Sequence, residues 1–148
     1  MTDPSPGPSP IHGTGLFARS ARRAGETLCR YEGPLVDRPP PAAGGMTFAL
    51  ELEPGRWIDG SGPGNPARHA NHSCDPTAEA RREGDAVLLV ARRDLAPGEE
   101  ITLDYGFGLA DALDHPCRCG APACAGRIVA APLRPLLRRH LRAGATGD

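Results

Sequence analysis

A run of nine residues, from Arg68 to Pro76, concentrates side chains that can do chemistry. It reads Arg-His-Ala-Asn-His-Ser-Cys-Asp-Pro, so a guanidinium, two imidazoles, an amide, a hydroxyl and a thiol lie close together. The thiol belongs to Cys74. A second cluster follows downstream, where Cys117, Cys119 and Cys124 have the pattern C-x-C-x4-C. These two segments are the candidate functional site.

The cysteines have the spacing of a zinc centre. Three thiolates need a fourth ligand to close a tetrahedral zinc site, and Cys74 is the candidate. Four thiolates leave no open position for water, so the expected Zn²⁺ is structural rather than catalytic. The alternative, unrelated core cysteines, is disfavoured because three cysteines fall within eight residues beside Gly and Pro. The fifth cysteine, Cys29, is expected to be a small core residue.

Two further motifs carry candidate binding or catalytic groups. Gly13 and Gly15 are separated by one residue, which lets a backbone turn tightly and approach a ligand closely. An ordinary hairpin turn is the alternative explanation of this pair. Tyr105 follows a short apolar run and precedes Gly106, so it is expected where a strand gives way to a loop.

The elements that must position these groups are short strands joined by loops. Apolar or alternating runs bounded by Gly and Pro predict strands over residues 27–31, 48–52, 56–59, 86–91 and 101–103. Proline and glycine predict loops over residues 37–45 and 60–66.

The two ends of the chain differ from this strand-rich centre. Residues 1–10 hold four prolines and no apolar anchor, so they are expected to be disordered. Residues 132–143 predict a short amphipathic helix that packs on the surface. Its leucines are Leu133, Leu136, Leu137 and Leu141, and its arginines are Arg134, Arg138, Arg139 and Arg142.

Composition limits the class of protein. A length of 148 residues predicts one domain. The 17 basic residues are all arginine and balance 18 acidic ones to a net charge of −1, so no overall field favours nucleic acid or a membrane surface. No apolar run approaches the roughly 20 residues of a membrane span, and the first residues lack a signal-peptide pattern. A cytoplasmic protein is expected, with delivery into a host cell left open; the oligomeric state is not indicated.

In combination, the motifs resemble the SET-domain family of protein lysine methyltransferases, from about Ile11 to Ile128. The matching segments follow the family's order: its G-x-G stretch at residues 13–18, Y-x-G at 31–33, G-N-x-A-R-F-x-N-H-S-C-x-P-N at 64–77, E-L-x-x-D-Y-G at 100–106, and the post-SET pattern C-x-C-x4-C-x-G from residue 117. The chain is identified as a small, bacterial-type member, with a SET domain over 11–108 and a post-SET zinc segment over 115–128.

The resemblance implies a mainly β, β-clip-like SET fold of short strands, in which the N-H-S-C and D-Y-G segments cross in a knot-like arrangement. S-adenosyl-L-methionine would lie on one face, and a protein or peptide lysine substrate would enter from the other. The family's pattern implies that Tyr105 is catalytic and that the zinc ligands are Cys74, Cys117, Cys119 and Cys124. The implied cofactor-binding residues are Thr14, Gly15, Leu16, Arg68, His69, Asn71, His72 and Tyr105.

The sequence departs from the family's pattern at a few positions. His69 stands where an aromatic residue is usual, and Thr77 replaces an Asn. These departures support the alternative of a catalytically silent SET module that binds a peptide or the cofactor, whereas intact Tyr105 favours an enzyme. Leu103 and Ala80 occupy positions that affect how many methyl groups are added, and their apolar side chains favour multiple methylation. A third alternative, a zinc-ribbon protein that binds nucleic acid, would need a basic face and a second C-x-C pair, and the sequence shows neither.

Overall fold

The computed structural model describes residues 3–41 and 48–146, and these form short strands with helices near the C-terminal end. The strands are β1 (Ser5–Pro8), β2 (Thr14–Phe17), β3 (Thr27–Arg30), β4 (Leu35–Val36), β5 (Ala49–Glu53), β6 (Arg56–Asp59), β7 (Asn71–His72), β8 (Ala78–Glu83), β9 (Ala86–Ala91) and β10 (Glu100–Leu103). The helices are α1 (Leu109–Asp114) and α2 (Arg134–Thr146), with single 3-10 turns at Pro66–His69 and Ala131–Leu133. The mainly β fold class is confirmed.

The strands form three small sheets. Their orders are β1-β2-β10-β7, β3-β9-β8 and β4-β6-β5. Every pairing is antiparallel except that of β10 with β7, which is parallel. Parallel neighbours need a long connection, and here the chain between them forms β8 and β9. The parallel pair therefore joins segments that lie far apart in sequence.

The prediction of disorder over residues 1–10 is wrong for Ser5–Pro8. This segment is β1, which pairs with β2 from Ser5 opposite Phe17 to Pro8 opposite Thr14. Its prolines are tolerated because β1 is an edge strand, where a missing N–H faces away from the ladder. The Arg19 side chain also donates to the Ser5 hydroxyl (2.6 Å) and the Pro6 carbonyl (3.0 Å). Residues 1 and 2 lie outside the described residues.

Most predicted strands are present, with ends that shift by one or two residues. The predictions over 56–59 and 86–91 coincide with β6 and β9, and those over 27–31, 48–52 and 101–103 match β3, β5 and β10. β8 was not predicted, because only its first residue, Ala78, is buried and the rest is largely charged. The six-residue helix α1 was not predicted either. Residues 42–45 of the predicted loop lie outside the described part.

Two apolar clusters hold these elements together. The main core packs the strands around the fully buried Leu16, Leu89 and Ile101. A second cluster packs Ala112 of α1 and Leu137 of α2 against Val129, which lies between the two helices in the sequence. The helix predicted over 132–143 thus exists as α2, preceded by a 3-10 turn. Leu137 and Leu141 of its apolar face are packed, whereas Leu136 is 45% exposed. No helix in the described part of the chain is long and apolar enough to cross a lipid bilayer.

Candidate active site and metal centre

The parallel pair of β7 and β10 brings the polar motif beside the segment that ends in Tyr105. Asn71 lies opposite Thr102, and His72 lies opposite Leu103. The Ser73 amide donates to the Leu103 carbonyl at 3.0 Å, which extends the contact by one residue. Motifs that are separate in sequence are therefore adjacent in the fold.

The Asn71 side chain ties this pair to the β1–β2 hairpin. Its amide nitrogen lies 3.1 Å from the His12 carbonyl oxygen, 3.4 Å from that of Thr14, 3.2 Å from the Ser9 hydroxyl and 3.0 Å from the Glu100 carboxylate. An amide group has two N–H donors, so these four acceptors share them. Since Asn71 is buried, its orientation is fixed by the hairpin loop on one side and β10 on the other.

Gly13 and Gly15 of the hairpin are required for different reasons. Gly13 has a φ of 43°, a conformation that favours glycine, so it is needed for the turn. Gly15 is needed for packing, because a Cβ there would overlap the Glu100 carboxylate. That carboxylate accepts a hydrogen bond from the Ser9 hydroxyl at 2.8 Å, and the Ser9 oxygen accepts one from the Ile11 amide at 3.0 Å. The sequence predicted that a ligand could approach the backbone closely here. In the structure, the group that lies against Gly15 is the Glu100 side chain.

Tyr105 is held at both its backbone and its hydroxyl. Its amide donates to Nδ1 of His72 at 3.0 Å, and its hydroxyl donates to the Ala70 carbonyl oxygen at 2.6 Å. The rings of Tyr105 and His72 meet edge to face with centroids 5.5 Å apart. Burial raises the pKa of Tyr105 well above its usual value, so the phenol stays protonated at neutral pH.

His72 connects the tyrosine to the cysteine cluster. Because Nδ1 accepts from the Tyr105 amide, the proton of the neutral ring must be on Nε2. Nε2 lies 3.6 Å from Sγ of Cys74. Burial lowers the pKa of His72, which favours this neutral form. One imidazole therefore receives a hydrogen bond from the tyrosine and directs its own N–H toward a sulfur.

The four predicted metal ligands converge. The Sγ atoms of Cys74, Cys117, Cys119 and Cys124 all lie within 4.8 Å of one another. The Cys74 and Cys117 sulfurs are 3.9 Å apart, close to the roughly 3.8 Å expected when Zn–S bonds of about 2.3 Å point to the corners of a tetrahedron. Cys29 lies outside this cluster and packs against the main core.

Backbone donors surround the sulfurs, as thiolates require. The Cys74 amide points to Sγ of Cys119 at 3.4 Å, and the Gly126 amide points to Sγ of Cys124 at 3.4 Å. A short antiparallel contact closes this loop, with the Cys117 amide donating to the Gly126 carbonyl at 3.0 Å. A donor set of four sulfurs with N–H groups aimed at them fits a structural zinc ion.

The thiols of Cys74 and Cys119 differ in pKa. Burial raises the pKa of Cys74 to about 11. Burial opposes ionisation of Cys119 too, but N–H donors from Cys74 and Ala121 help to lower its pKa to about 6. Neutral thiol and thiolate therefore coexist at pH 7. A divalent metal would displace the remaining protons, because only thiolates bind zinc.

The other predicted cofactor residues have varied environments. Thr14 is exposed at the start of β2, whereas Leu16 is fully buried between β1 and β10. The Arg68 guanidinium donates to the Ser61 carbonyl at 2.8 Å and lies over the Phe48 ring at 5.4 Å. The roles of these residues toward a cofactor stay predictions.

His69 lies apart from the other predicted cofactor residues. It lines a groove of about 610 Å³ together with residues that include Leu28, Cys29 and Glu32. Burial lowers its pKa and favours the neutral ring. None of the other predicted cofactor residues lines this groove in the described structure. The contact of His69 with a cofactor therefore also stays a prediction.

The structure adds groups that sequence reasoning did not assign to the site. Glu100 and Ser9 hold the hairpin against Asn71, and the carbonyl of Ala70 anchors the Tyr105 hydroxyl. The glutamate was visible as the first residue of the E-I-T-L-D-Y-G motif. The role of Ala70 could not be predicted from the sequence, because the contact uses a backbone carbonyl oxygen, which every residue type has.

Comparisons with known proteins agree on one family. A family model described as SET domain matches residues 13–106. Histone-lysine N-methyltransferase TRX1 of Oryza sativa subsp. japonica is 36% identical over 137 residues, covering 82% of this chain and 13% of that protein. Histone-lysine N-methyltransferase 2B of Homo sapiens is 35% identical over 129 residues, covering 78% of this chain and 5% of that protein.

A solved structure shows the same fold. The crystal structure of KRYPTONITE in complex with mCHG DNA and SAH has a TM-score of 0.67 and 27% sequence identity to this chain. The similarity covers 82% of this chain and 28% of that one. The chain thus spans a small part of the length of each of these relatives and corresponds to one region within them.

Proposed function

Because the chain belongs to the SET-domain family, we propose that it transfers methyl groups from S-adenosylmethionine to a lysine side chain of a protein. The observation that carries this proposal is the protonated Tyr105 hydroxyl, fixed on the Ala70 carbonyl where the hairpin, the polar motif and β10 meet. The relatives named as histone-lysine methyltransferases support a protein lysine as acceptor. A structural zinc centre on the four clustered cysteines completes the proposal.

The residues around the hairpin loop fit such a cofactor. Carbonyl oxygens of His12 and Thr14 and the Glu100 carboxylate gather around Asn71, and these acceptors suit a ligand with ammonium and sulfonium charges. A Cβ at Gly13 would meet no atom within 4 Å, so there is open space beside the turn. The cofactor supplies a methyl group on a positively charged sulfur when bound. We assign its binding to Thr14, Gly15, Leu16, Arg68, Asn71, His72 and Tyr105, and the contact of His69 with it stays a prediction from the family's pattern.

The chain's own contribution is to position and desolvate the lysine amine. A free lysine has a pKa near 10.4, and its nitrogen can accept a methyl group only when it is neutral. Removal from water and a neighbouring positive charge both lower this pKa. The Tyr105 hydroxyl donates a hydrogen bond to the Ala70 carbonyl oxygen, so its own oxygen remains an acceptor that can orient an amine N–H. The lysine ammonium would first lose one proton to water, and its neutral nitrogen would then accept the methyl group that bound S-adenosylmethionine supplies, with a neutral thioether as the leaving group.

The departures from the family's pattern do not reach this centre. Thr77 is buried and bonded to β10: its hydroxyl donates to the Glu100 carbonyl at 3.0 Å and accepts from the Thr102 amide at 3.0 Å. It therefore has a structural role that explains its presence. His69 faces the groove described above. Neither residue supports the alternative of a silent binding module.

A direct test combines purified protein, isotopically labelled S-adenosylmethionine and two acceptors, recombinant histone H3 and a lysate of cytoplasmic proteins. We expect label on lysine, mapped by tandem mass spectrometry, and none with Tyr105→Phe. The lysate is included because we propose action in the cytoplasm, where cysteines stay reduced. Cofactor binding without transfer to either acceptor would favour the silent module.

A further inference from the structure

The C-terminal helix α2 is anchored to the domain by its apolar face. Leu137 is 1% exposed and packs with Ala112 of α1 and Val129. This anchor directs a row of arginines at four-residue spacing, Arg134 and Arg138, toward the cysteine cluster.

Each of these arginines binds a segment that carries zinc ligands. Nη2 of Arg134 donates to the carbonyl oxygen of Cys74 at 2.6 Å. Nη2 of Arg138 donates to the carbonyl oxygen of Ala123, the residue before Cys124, also at 2.6 Å. Cys74 belongs to the polar motif and Cys124 to the post-SET loop, so one helix contacts both halves of the metal centre.

The arginines are otherwise uncommitted to acidic side chains. Neither Arg134 nor Arg138 forms a salt bridge within residues 3–41 and 48–146. Their positive charges are therefore directed at the two backbone carbonyl oxygens. Charged donors make stronger hydrogen bonds than neutral ones.

We propose that Arg134 and Arg138 are positioning residues for the metal centre, holding the two cysteine segments in register independently of the zinc ion. This inference rests on the zinc centre of the proposed function. A ligand set held in place by protein contacts releases its metal more slowly, because one thiolate that dissociates stays near the metal and rebinds. The helix would thus be part of the metal-binding structure and not only a packed surface element.

The test measures zinc release to a chromogenic chelator from the full-length protein. Arg134→Met and Arg138→Met keep most of the aliphatic side chain and remove the donors. Arg139→Met is the matched control, because Arg139 lies on the same helix, is exposed, and has no hydrogen bond to the metal segments in the described structure. We expect each of the first two variants to release zinc about tenfold faster than wild type, as loss of a charge-assisted hydrogen bond predicts. The control should release it at the wild-type rate.

A conservative variant separates positioning from general stability. Arg134→Lys keeps a charged donor, so it should restore part of the slow release, while far-UV circular dichroism confirms that all variants are folded. It also gives the comparison if Arg134→Met does not fold. Equal release rates in all variants, from a wild type that holds zinc and methylates lysine, would overturn the positioning role alone. Fast release in the two arginine variants without methyl transfer by wild type would instead overturn the proposed function.

Discussion

At the level of single residues, the Tyr105 hydroxyl is the group on which the proposed chemistry depends most. Its hydrogen bond to Ala70 and its neighbouring His72 ring set its position. Burial raises its pKa, so it acts as a neutral phenol and not as a base. In the proposed reaction it would orient the amine, and this kinetic contribution can be measured separately from cofactor binding.

The first prediction follows for Tyr105→Phe. Methyl transfer should fall at least about 100-fold, because an orienting hydrogen bond at the reacting nitrogen is lost. Affinity for S-adenosylhomocysteine, measured by calorimetry, should stay within a few-fold. The free energy of unfolding should fall by about 1 kcal/mol, since one hydrogen bond is removed. Unchanged turnover would make Tyr105 a core residue only.

The second prediction concerns the number of methyl groups added. Leu103 is buried on β10, and Ala80 lies on β8 opposite Leu89. Neither side chain can hold a water by hydrogen bonding. We therefore expect di- or trimethyllysine at long reaction times.

Intact-mass spectrometry of a methylated peptide decides this point. Leu103→Tyr adds a hydroxyl at the same place and should shift the product toward monomethyllysine. Leu103→Phe is its control, because it adds the ring without the hydroxyl. A stable plateau at one methyl group with active wild-type enzyme would contradict the prediction.

At the level of elements, the zinc centre joins the loop after β7 to the segment before α2. In this region, the sequence was sufficient to predict that the four cysteines converge. Three closely spaced cysteines need a fourth ligand to complete a tetrahedral zinc site, and Cys74 was the candidate. The sequence was not sufficient to predict that β1 is ordered or that β8 exists. Both strands pair with their neighbours in sequence, β2 and β9, but the prolines of β1 and the charged residues of β8 argued against a strand. The contacts of Asn71 likewise could not be predicted, since they join three separate segments: β7, the β1–β2 hairpin and β10.

The third prediction is that purified protein holds one equivalent of zinc. Elemental analysis should show that Cys119→Ala loses the metal and that Cys29→Ala keeps it, because Cys29 lies in the main core. Removal of zinc by a strong chelator should abolish methyl transfer, since Cys74 would no longer hold the post-SET loop against the active site. Full activity in a zinc-free wild type would contradict the prediction that methyl transfer depends on zinc.

At the level of the whole molecule, the absence of lysine from all 148 residues has a functional consequence. An enzyme that methylates lysine has no internal side-chain acceptor here. The sequence alone was sufficient for this inference, because it depends on composition and not on folding. The distances between the site residues, in contrast, could not be predicted from the sequence, because they depend on how many short strands and loops pack together.

The fourth prediction is that incubation with labelled S-adenosylmethionine alone leaves the internal residues unlabelled. Any automethylation should be confined to the α-amino group of the N-terminus. Peptide mapping by mass spectrometry checks this, and a variant with a single exposed lysine, Arg139→Lys, serves as the comparison. Label at an internal residue of the wild type would contradict lysine as the acceptor type.

The parallel pairing of β7 with β10 also bears on how the protein acquires its activity. Asn71 and His72 pair with Thr102 and Leu103, and the β8–β9 hairpin lies between these two segments in the sequence. Contacts of such high sequence separation are slow to form, because loop closure has to come first. The catalytic centre should therefore be among the last parts to assemble during refolding, and recovery of cofactor binding should lag behind recovery of β structure.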